Sequence, residues 1–382
     1  MKTTIFPVFL LSIFSLSLFA DTPKIPPALR DQYLERSQVW KPTPVPINKM
    51  RTLEGPKSRV AAPPRATVTC TYVEPKEPPG GTTPKFKCTL RSGDVIRVKY
   101  DTPEVYAEIA GTRFLWALGF YADNDYLVKI RCLKCPEKDP WKPEKNEARI
   151  TRMIPDVMIE ENFPGDIIEQ SPDQGWNWSE LSKVKSELGG ATPVQIDAFK
   201  LMAVLIQHSD NKAVNQRLAC YKSDMVINKG VAECHRPVLM IADLGATFGT
   251  TIGFITAGAK MDFENWKKTD IWNSAKEHDF MVQHNQQICI GNLANTHRAG
   301  EEGLFDPPIS EEGRKFLADL LNQLTVKQIR DVFTAAGVNR MGQTIEENGV
   351  RRKVTVQDWT DAFVKKRQQI NERKCPSPTN PQ

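Results

Sequence analysis

Alternation of apolar and polar positions sets in at residue 66. Thr67-Val-Thr-Cys-Thr-Tyr-Val73 alternates and is rich in β-branched side chains, the pattern of a strand with one buried face. Pro75 to Pro84 holds Gly80-Gly81 and has to turn. Lys85-Phe-Lys-Cys-Thr-Leu90 predicts a second strand, Ser92-Gly-Asp94 a tight turn, and Val95-Ile-Arg-Val-Lys-Tyr100 a third strand. Asp101 or Thr102 then caps a helix, with Pro103 near its first position. Val105, Ile109, Trp116 and Phe120 recur at helical spacing, carrying it to about Gly119. Another strand is expected around Tyr126 to Cys132. Past Pro136 the chain turns polar and Pro-rich, then mostly helical. Thr192-Pro193 opens a strong helix, apolar at Val194, Phe199, Met202 and Leu205, that ends near Gln207. Met225 to Asn228 and Val238 to Ala242 predict short strands, and Phe263 to Lys374 reads as largely helical. Ser310-Glu-Glu-Gly and Thr325-Val-Lys-Gln have the form of capping-box helix starts. The pattern predicts an α+β protein: a small β-rich lobe over 66–137, a helical lobe over 138–375, and a tail over 376–382.

Two segments precede this pattern. Residues 1–20 combine a positive start with an almost continuous apolar run from Ile5 to Phe19 and Ala20 before Asp21, which reads as a cleaved signal peptide. Residues 21–65 are Pro-rich and read as a linker or arm leaning on the core. Export implies a secreted or periplasmic protein and makes the eight cysteines candidates for disulfides. Cys70 with Cys88 and Cys220 with Cys234 each flank a hairpin-like stretch. Cys132-Leu-Lys-Cys135 has no partner motif that would make it a zinc site, so a structural disulfide role is favoured there. With 25% charged residues and a net charge of +5, the chain has ordinary globular composition. No basic run suggests nucleic acid as a partner, and no transmembrane segment is expected after signal cleavage.

The chemistry concentrates after the strong helix. His208-Ser-Asp210-Asn-Lys212-Ala-Val-Asn215 places Asp and Asn five positions apart, and Asp243-Leu-Gly245 follows between apolar residues. A kinase catalytic loop reads H-R-D-x-x-x-x-N and is followed by D-F-G. A metal–ATP complex needs hard oxygen ligands, which Asp243 and Asn215 can supply. Asp210 can orient an attacking hydroxyl, and Lys212 can offset charge on the transferred phosphoryl group. Upstream, Lys99 ends a strand and Glu108 lies on the next helix, the pair that grips phosphates in kinases. Arg97 shares the strand face of Lys99, and Glu104 lies one turn before Glu108, so both are alternatives, with Lys99 and Glu108 preferred. Gly80-Gly-Thr-Thr-Pro-Lys85 stands where a phosphate-binding loop belongs, with Thr82, Thr83 and Lys85 as candidate contacts; the alternative is a plain hairpin turn.

The segments Gly81-Thr-Thr-Pro-Lys-Phe-Lys-Cys88, Arg97-Val-Lys-Tyr100, Glu104 to Phe120 and Ala242-Asp-Leu-Gly-Ala-Thr-Phe-Gly249 resemble the atypical protein-kinase-like superfamily. Within it, they are similar to secreted bacterial proteins with a HipA-like or lipid-kinase-like core. The resemblance spans roughly residues 66 to 340. It implies a two-lobed kinase-like fold, ATP with Mg²⁺ or Mn²⁺, and roles for Lys99, Glu108, Asp210, Asn215 and Asp243. Ser209 stands where the family has Arg, Leu244 where it has Phe, and the glycine-rich loop is not of standard form. The implied activity is phosphoryl transfer to a hydroxyl-bearing protein, lipid or sugar. The alternatives are a kinase-like binding module without turnover and, last, a metal-dependent hydrolase.

Overall fold

The computed structural model describes residues 25–77, 80–81, 83–161, 163–171, 174–250, 260–293 and 303–376. The signal-peptide reading of 1–20, Thr82, and all but the first residue of the 376–382 tail lie outside them.

The first strands form where alternation demands them. Strands β1 (Thr67–Val73), β2 (Lys85–Leu90) and β3 (Val95–Lys99) pair antiparallel in sequence order. Two longer strands complete the sheet, β4 (Asp125–Pro136) and β5 (Arg149–Glu161). The order is β1-β2-β3-β5-β4, and a parallel β1–β4 pairing closes it into a barrel. Cys70, Phe86, Ile96, Val98, Tyr126, Val128 and Ile159 fill its interior. The long β5 corrects the expectation of helix after Pro136. Pro155 and the left-handed Asp156 (φ 48°) break its alternation, and its last five residues are all buried.

Between β3 and β4 runs α2 (Glu104–Leu118), preceded in the chain by a short α1 (Arg30–Glu35). Pro103 itself takes the N-cap position of α2, in place of the Asp101 or Thr102 expected there, and left-handed Gly119 ends the helix where the sequence predicted. Twelve of its fifteen residues are buried, because it lies between barrel and helical lobe. Leu127 and Met158, pointing outward from the barrel, join α2 in the second core. Phe114 of α2 stacks on Phe363 at 4.3 Å and meets Phe333 edge-on at 5.3 Å.

The helical lobe begins with a short strand β6 (Gly165–Ile167) and α3 (Pro193–Ile206), whose capping box of Thr192 and Gln195 starts it at the predicted residue. Then come β7 (Gln216–Tyr221), β8 (Met225–Asn228), β9 (Val231–Cys234) and β10 (Val238–Ile241). Of these, β7 and β9 were not expected. The remainder alternates α4 (Phe263–Lys268), α5 (Ser274–His284), a small β11 (Cys289–Ile290) and β12 (Pro308–Ile309) pair, α6 (Glu311–Asn322), α7 (Val326–Ala336), a hairpin of β13 (Thr344–Glu347) and β14 (Val350–Lys353), and α8 (Val356–Glu372). The whole is a two-lobed α+β fold.

The Pro-rich arm does more than lean on this core. Tyr33, Leu34, Val39 and Ile47 are buried in it. Trp40 donates to the Leu118 carbonyl at 2.8 Å, and Arg113 of α2 donates to the carbonyls of Thr52 and Leu53 at 2.9 Å. The arm therefore straps the C-terminal half of α2. All eight cysteines are paired: Cys70–Cys88, Cys132–Cys135, Cys220–Cys234 and Cys289–Cys375. Among the described residues, no helix is long and apolar enough to cross a membrane.

Candidate functional site

The last residue of β3 and the second turn of α2 meet in the cleft. Lys99 and Glu108 form an ion pair whose side chains are 7% and 2% exposed. The two open alternatives at this pair have other partners. Arg97 donates to Glu160 of β5 at 2.6 Å, and Glu104 accepts from the Thr83 hydroxyl. Burial alone would push Lys99 toward the neutral amine, but the carboxylates of Glu108, Asp243 and Glu160 outweigh it, so its pKa lies well above the ordinary value. The ammonium is thus fixed in a buried place by surrounding acids.

Lys85 pairs in register with Lys99, so the two lysines project side by side from neighbouring strands. Burial, then the charges of Lys99 and Arg97, hold the Lys85 pKa below its ordinary value. The Gly80-Gly81 turn passes directly over Lys85. Gly81 is left-handed (φ 87°), and a β-carbon there would lie 2.9 Å from the Lys85 ammonium. The left-handed backbone at Gly81 is what favours glycine there, and it brings the turn close to the lysine.

Opposite stand the residues of the His208–Asn215 loop. The α3 helix ends on a left-handed Gln207, and the following loop is locked to the Asp-Leu-Gly turn: Ser209 donates to the Ala246 carbonyl through its amide at 2.9 Å and its hydroxyl at 3.1 Å. The Asn215 carbonyl accepts the amides of Ala242 at 2.9 Å and Asp243 at 3.1 Å. Side chains converge as well. Asn215 Nδ2 donates to Asp210 Oδ2 at 3.0 Å, and Lys212 Nζ lies 3.1 Å from Asp210 Oδ1. Asp210 and Lys212 remain about one-third exposed, open to the cleft.

Asp243 accepts the Gly245 amide on Oδ1 at 3.0 Å. Burial opposes its charge, but Lys99, the Gly245 amide, His208 and Lys85 together hold its pKa below the ordinary value. Asp243 therefore stays ionised facing Lys99. The turn also docks on α2: a β-carbon at Gly111 would meet the Leu244 side chain at 3.1 Å. Glycine at 111 lets the Asp243-Leu-Gly245 turn and the Glu108 helix touch.

The sequence-predicted residues Lys85, Lys99, Glu108, Asp210, Lys212, Asn215 and Asp243 are thus linked into one group by these contacts; Thr82 lies outside the described residues. Three things were missed. Asn211, fully buried, donates to the His208 and Leu304 carbonyls at 2.7 and 3.1 Å and so shapes the catalytic loop from behind. Its only signal was its place beside Asp210. Glu160 and Asp125, opposite each other in register on β5 and β4, went unseen because β5 was not predicted. Asp123, just before β4, also faces this row. Burial and the Glu160 charge raise the Asp123 carboxyl well above its ordinary value; burial and the Glu108 charge do so for Asp125.

No family model matches this chain, and no curated protein does. Among solved structures it is similar to the Helicobacter pylori proinflammatory kinase CtkA, at 10% identity and a TM-score of 0.38, over 81% of this chain and 94% of that one. It is also similar to the Golgi casein kinase, at 13% identity and a TM-score of 0.27, over 81% of this chain and 73% of that one. At such TM-scores neither likeness carries weight, and what the site can do rests on its own geometry.

Proposed function

We propose that this chain is an exported kinase-like phosphotransferase. It moves a phosphoryl group from a metal-bound nucleoside triphosphate, ATP by expectation, to a hydroxyl on a protein, lipid or sugar. The observation that carries the proposal is the buried Lys99–Glu108 pair facing an ionised Asp243, with Asp210 and Asn215 hydrogen-bonded beside it. The four disulfides support export. On the motifs quoted above we assign it to the HipA-like or lipid-kinase-like part of the superfamily.

The donor set fits a hard divalent ion. Asp243 keeps one carboxylate oxygen free of hydrogen bonds from the described residues, and the Asn215 amide, donating through nitrogen, leaves its oxygen for a ligand. Among the described residues, no three His, Cys, Asp or Glu side chains could hold a metal by themselves. Mg²⁺ or Mn²⁺ is held in sites of this kind through one or two protein oxygens plus substrate phosphates. When bound, the ion supplies charge neutralisation on the phosphates. Lys99, braced by Glu108, positions the phosphates, and Lys85 with the Gly80-Gly81 turn adds donors above them. Asp210 orients the acceptor hydroxyl and takes its proton. Lys212 follows the charge of the transferred group.

The test is nucleotide turnover by the purified, disulfide-intact chain with Mg²⁺ or Mn²⁺. Asp243→Ala should lower it at least a hundredfold, about 2.7 kcal/mol of transition-state stabilisation, with an unchanged circular dichroism spectrum. Undiminished turnover in that variant refutes the assignment. Nucleotide at a hundredfold excess over its dissociation constant should stabilise the fold by about 2.7 kcal/mol. Stabilisation without turnover on any acceptor would favour the binding module; no stabilisation by any nucleotide would refute a nucleotide site.

A further inference from the structure

We infer that the base pocket of this site is built for guanine rather than adenine, an inference that rests on the phosphotransferase reading above. Lys99 is the last residue of β3, and Glu160 is the last residue but one of β5, from which the chain crosses to the helical lobe. A nucleotide with its phosphates at Lys99 and Lys85 lays its base along the same sheet face, between Lys99 and that crossover. The register puts Arg97 and Glu160 there, directly opposite each other, with Asp125 next to Glu160 on the following strand.

A purine slot is ordinarily apolar, with a few placed polar groups. Here it is an ion pair with spare capacity. Arg97 Nη1 donates to Glu160 Oε1 at 2.6 Å, and the Arg97 side chain is 42% exposed, so its remaining donors rim the cleft. Glu160 is 7% exposed, and its Oε2 is buried without a hydrogen-bond partner among the described residues.

A buried acceptor beside a guanidinium is half of a recognition pattern. Guanine offers O6 and N7 to arginine and, adjacent to O6, the N1–H and 2-amino donors that a carboxylate accepts. Adenine reverses both contacts. Its 6-amino donor would meet the guanidinium, and its N1 acceptor would meet the carboxylate. A site built to hydrogen-bond one partner rejects the analogue that leaves its polar groups unpaired.

The experiment compares non-hydrolysable GTP, ITP and ATP analogues on the purified, disulfide-intact chain with Mg²⁺, by calorimetry. The GTP analogue should bind at least tenfold tighter than the ATP analogue, and the ITP analogue, lacking the 2-amino group, should fall between. Glu160→Gln should erase the difference. ATP binding as tight as GTP overturns this inference and leaves the phosphotransferase reading intact, whereas no binding of any nucleotide overturns both. A folded Glu160→Gln protein that keeps the full GTP preference also overturns it. If that variant does not fold, the three analogues on the unaltered chain decide the matter.

Discussion

Replacing Glu180 by glutamine tests whether the N-terminal arm is part of the folded unit. Arg30 of α1 grips Glu180 with both arms of its guanidinium, at 2.9 and 2.8 Å, and also donates to the Gly175 carbonyl at 2.8 Å. Arg30 is 3% exposed and Glu180 is 17% exposed. Burial works against the Glu180 charge, but the Arg30 fork, the Asn177 amide and Lys183 outweigh it and bring its pKa from 4.5 down to about 2. At 1.36 kcal/mol per pH unit, that displacement is worth about 3 kcal/mol. Because the folded pKa is depressed, this contribution is complete above the unfolded pKa and is lost as pH falls toward the folded one. Glutamine keeps the shape and removes the charge. In urea melts, Glu180→Gln should therefore cost about 3 kcal/mol at pH 7 and roughly half that at pH 3. An equal cost at both pH values, or one below about 1 kcal/mol at pH 7, would refute the electrostatic account of how the arm is held.

Three further outcomes follow from the same geometry. Glu108→Gln leaves Lys99 buried without its partner; it should cost about 3 kcal/mol of stability and weaken nucleotide binding at least tenfold, as read by chemical denaturation and calorimetry. Gly111→Val drives a branched side chain into Leu244, already 3.1 Å from the position of a β-carbon; it should destabilise by about 1–3 kcal/mol and weaken nucleotide binding as well, and a neutral result would mean that α2 and the Asp-Leu-Gly turn are not coupled. Cys289→Ser with Cys375→Ser opens a disulfide spanning 86 residues; the chain-entropy estimate is about 4–5 kcal/mol, measurable as a lowered urea midpoint against the oxidised parent.

What the sequence discloses of this fold is what is local. Lys99 and Glu108 are nine positions apart, across one turn, and both neighbouring elements have clean periods, so the pair is readable from alternation and a proline cap. The Asp210–Asn215 contact is likewise made within one loop. Cys70–Cys88 and Cys220–Cys234 flank stretches that must reverse direction, and they pair accordingly. Cys289–Cys375 joins β11 to the chain just after α8, a closure no local pattern encodes. Nor does a pattern announce the parallel β1–β4 seam that turns a sheet into a barrel.

The failure at β5 has a chemical consequence beyond secondary structure. The last five residues of β5 are buried on both faces and lose their alternation, and Pro155 with a left-handed Asp156 breaks the pattern just before them. With the strand unread, Glu160 looks like one of two ordinary surface acids near a proline-rich crossover. In the fold it is opposite Arg97 and accepts its hydrogen bond. The two cations occupy the same face two residues apart, but each has its own carboxylate: Glu108 on a helix for Lys99, Glu160 on a strand for Arg97. The Lys99–Glu108 pair was legible from the chain, whereas the Arg97–Glu160 pair beside it emerges only when five strands are laid edge to edge.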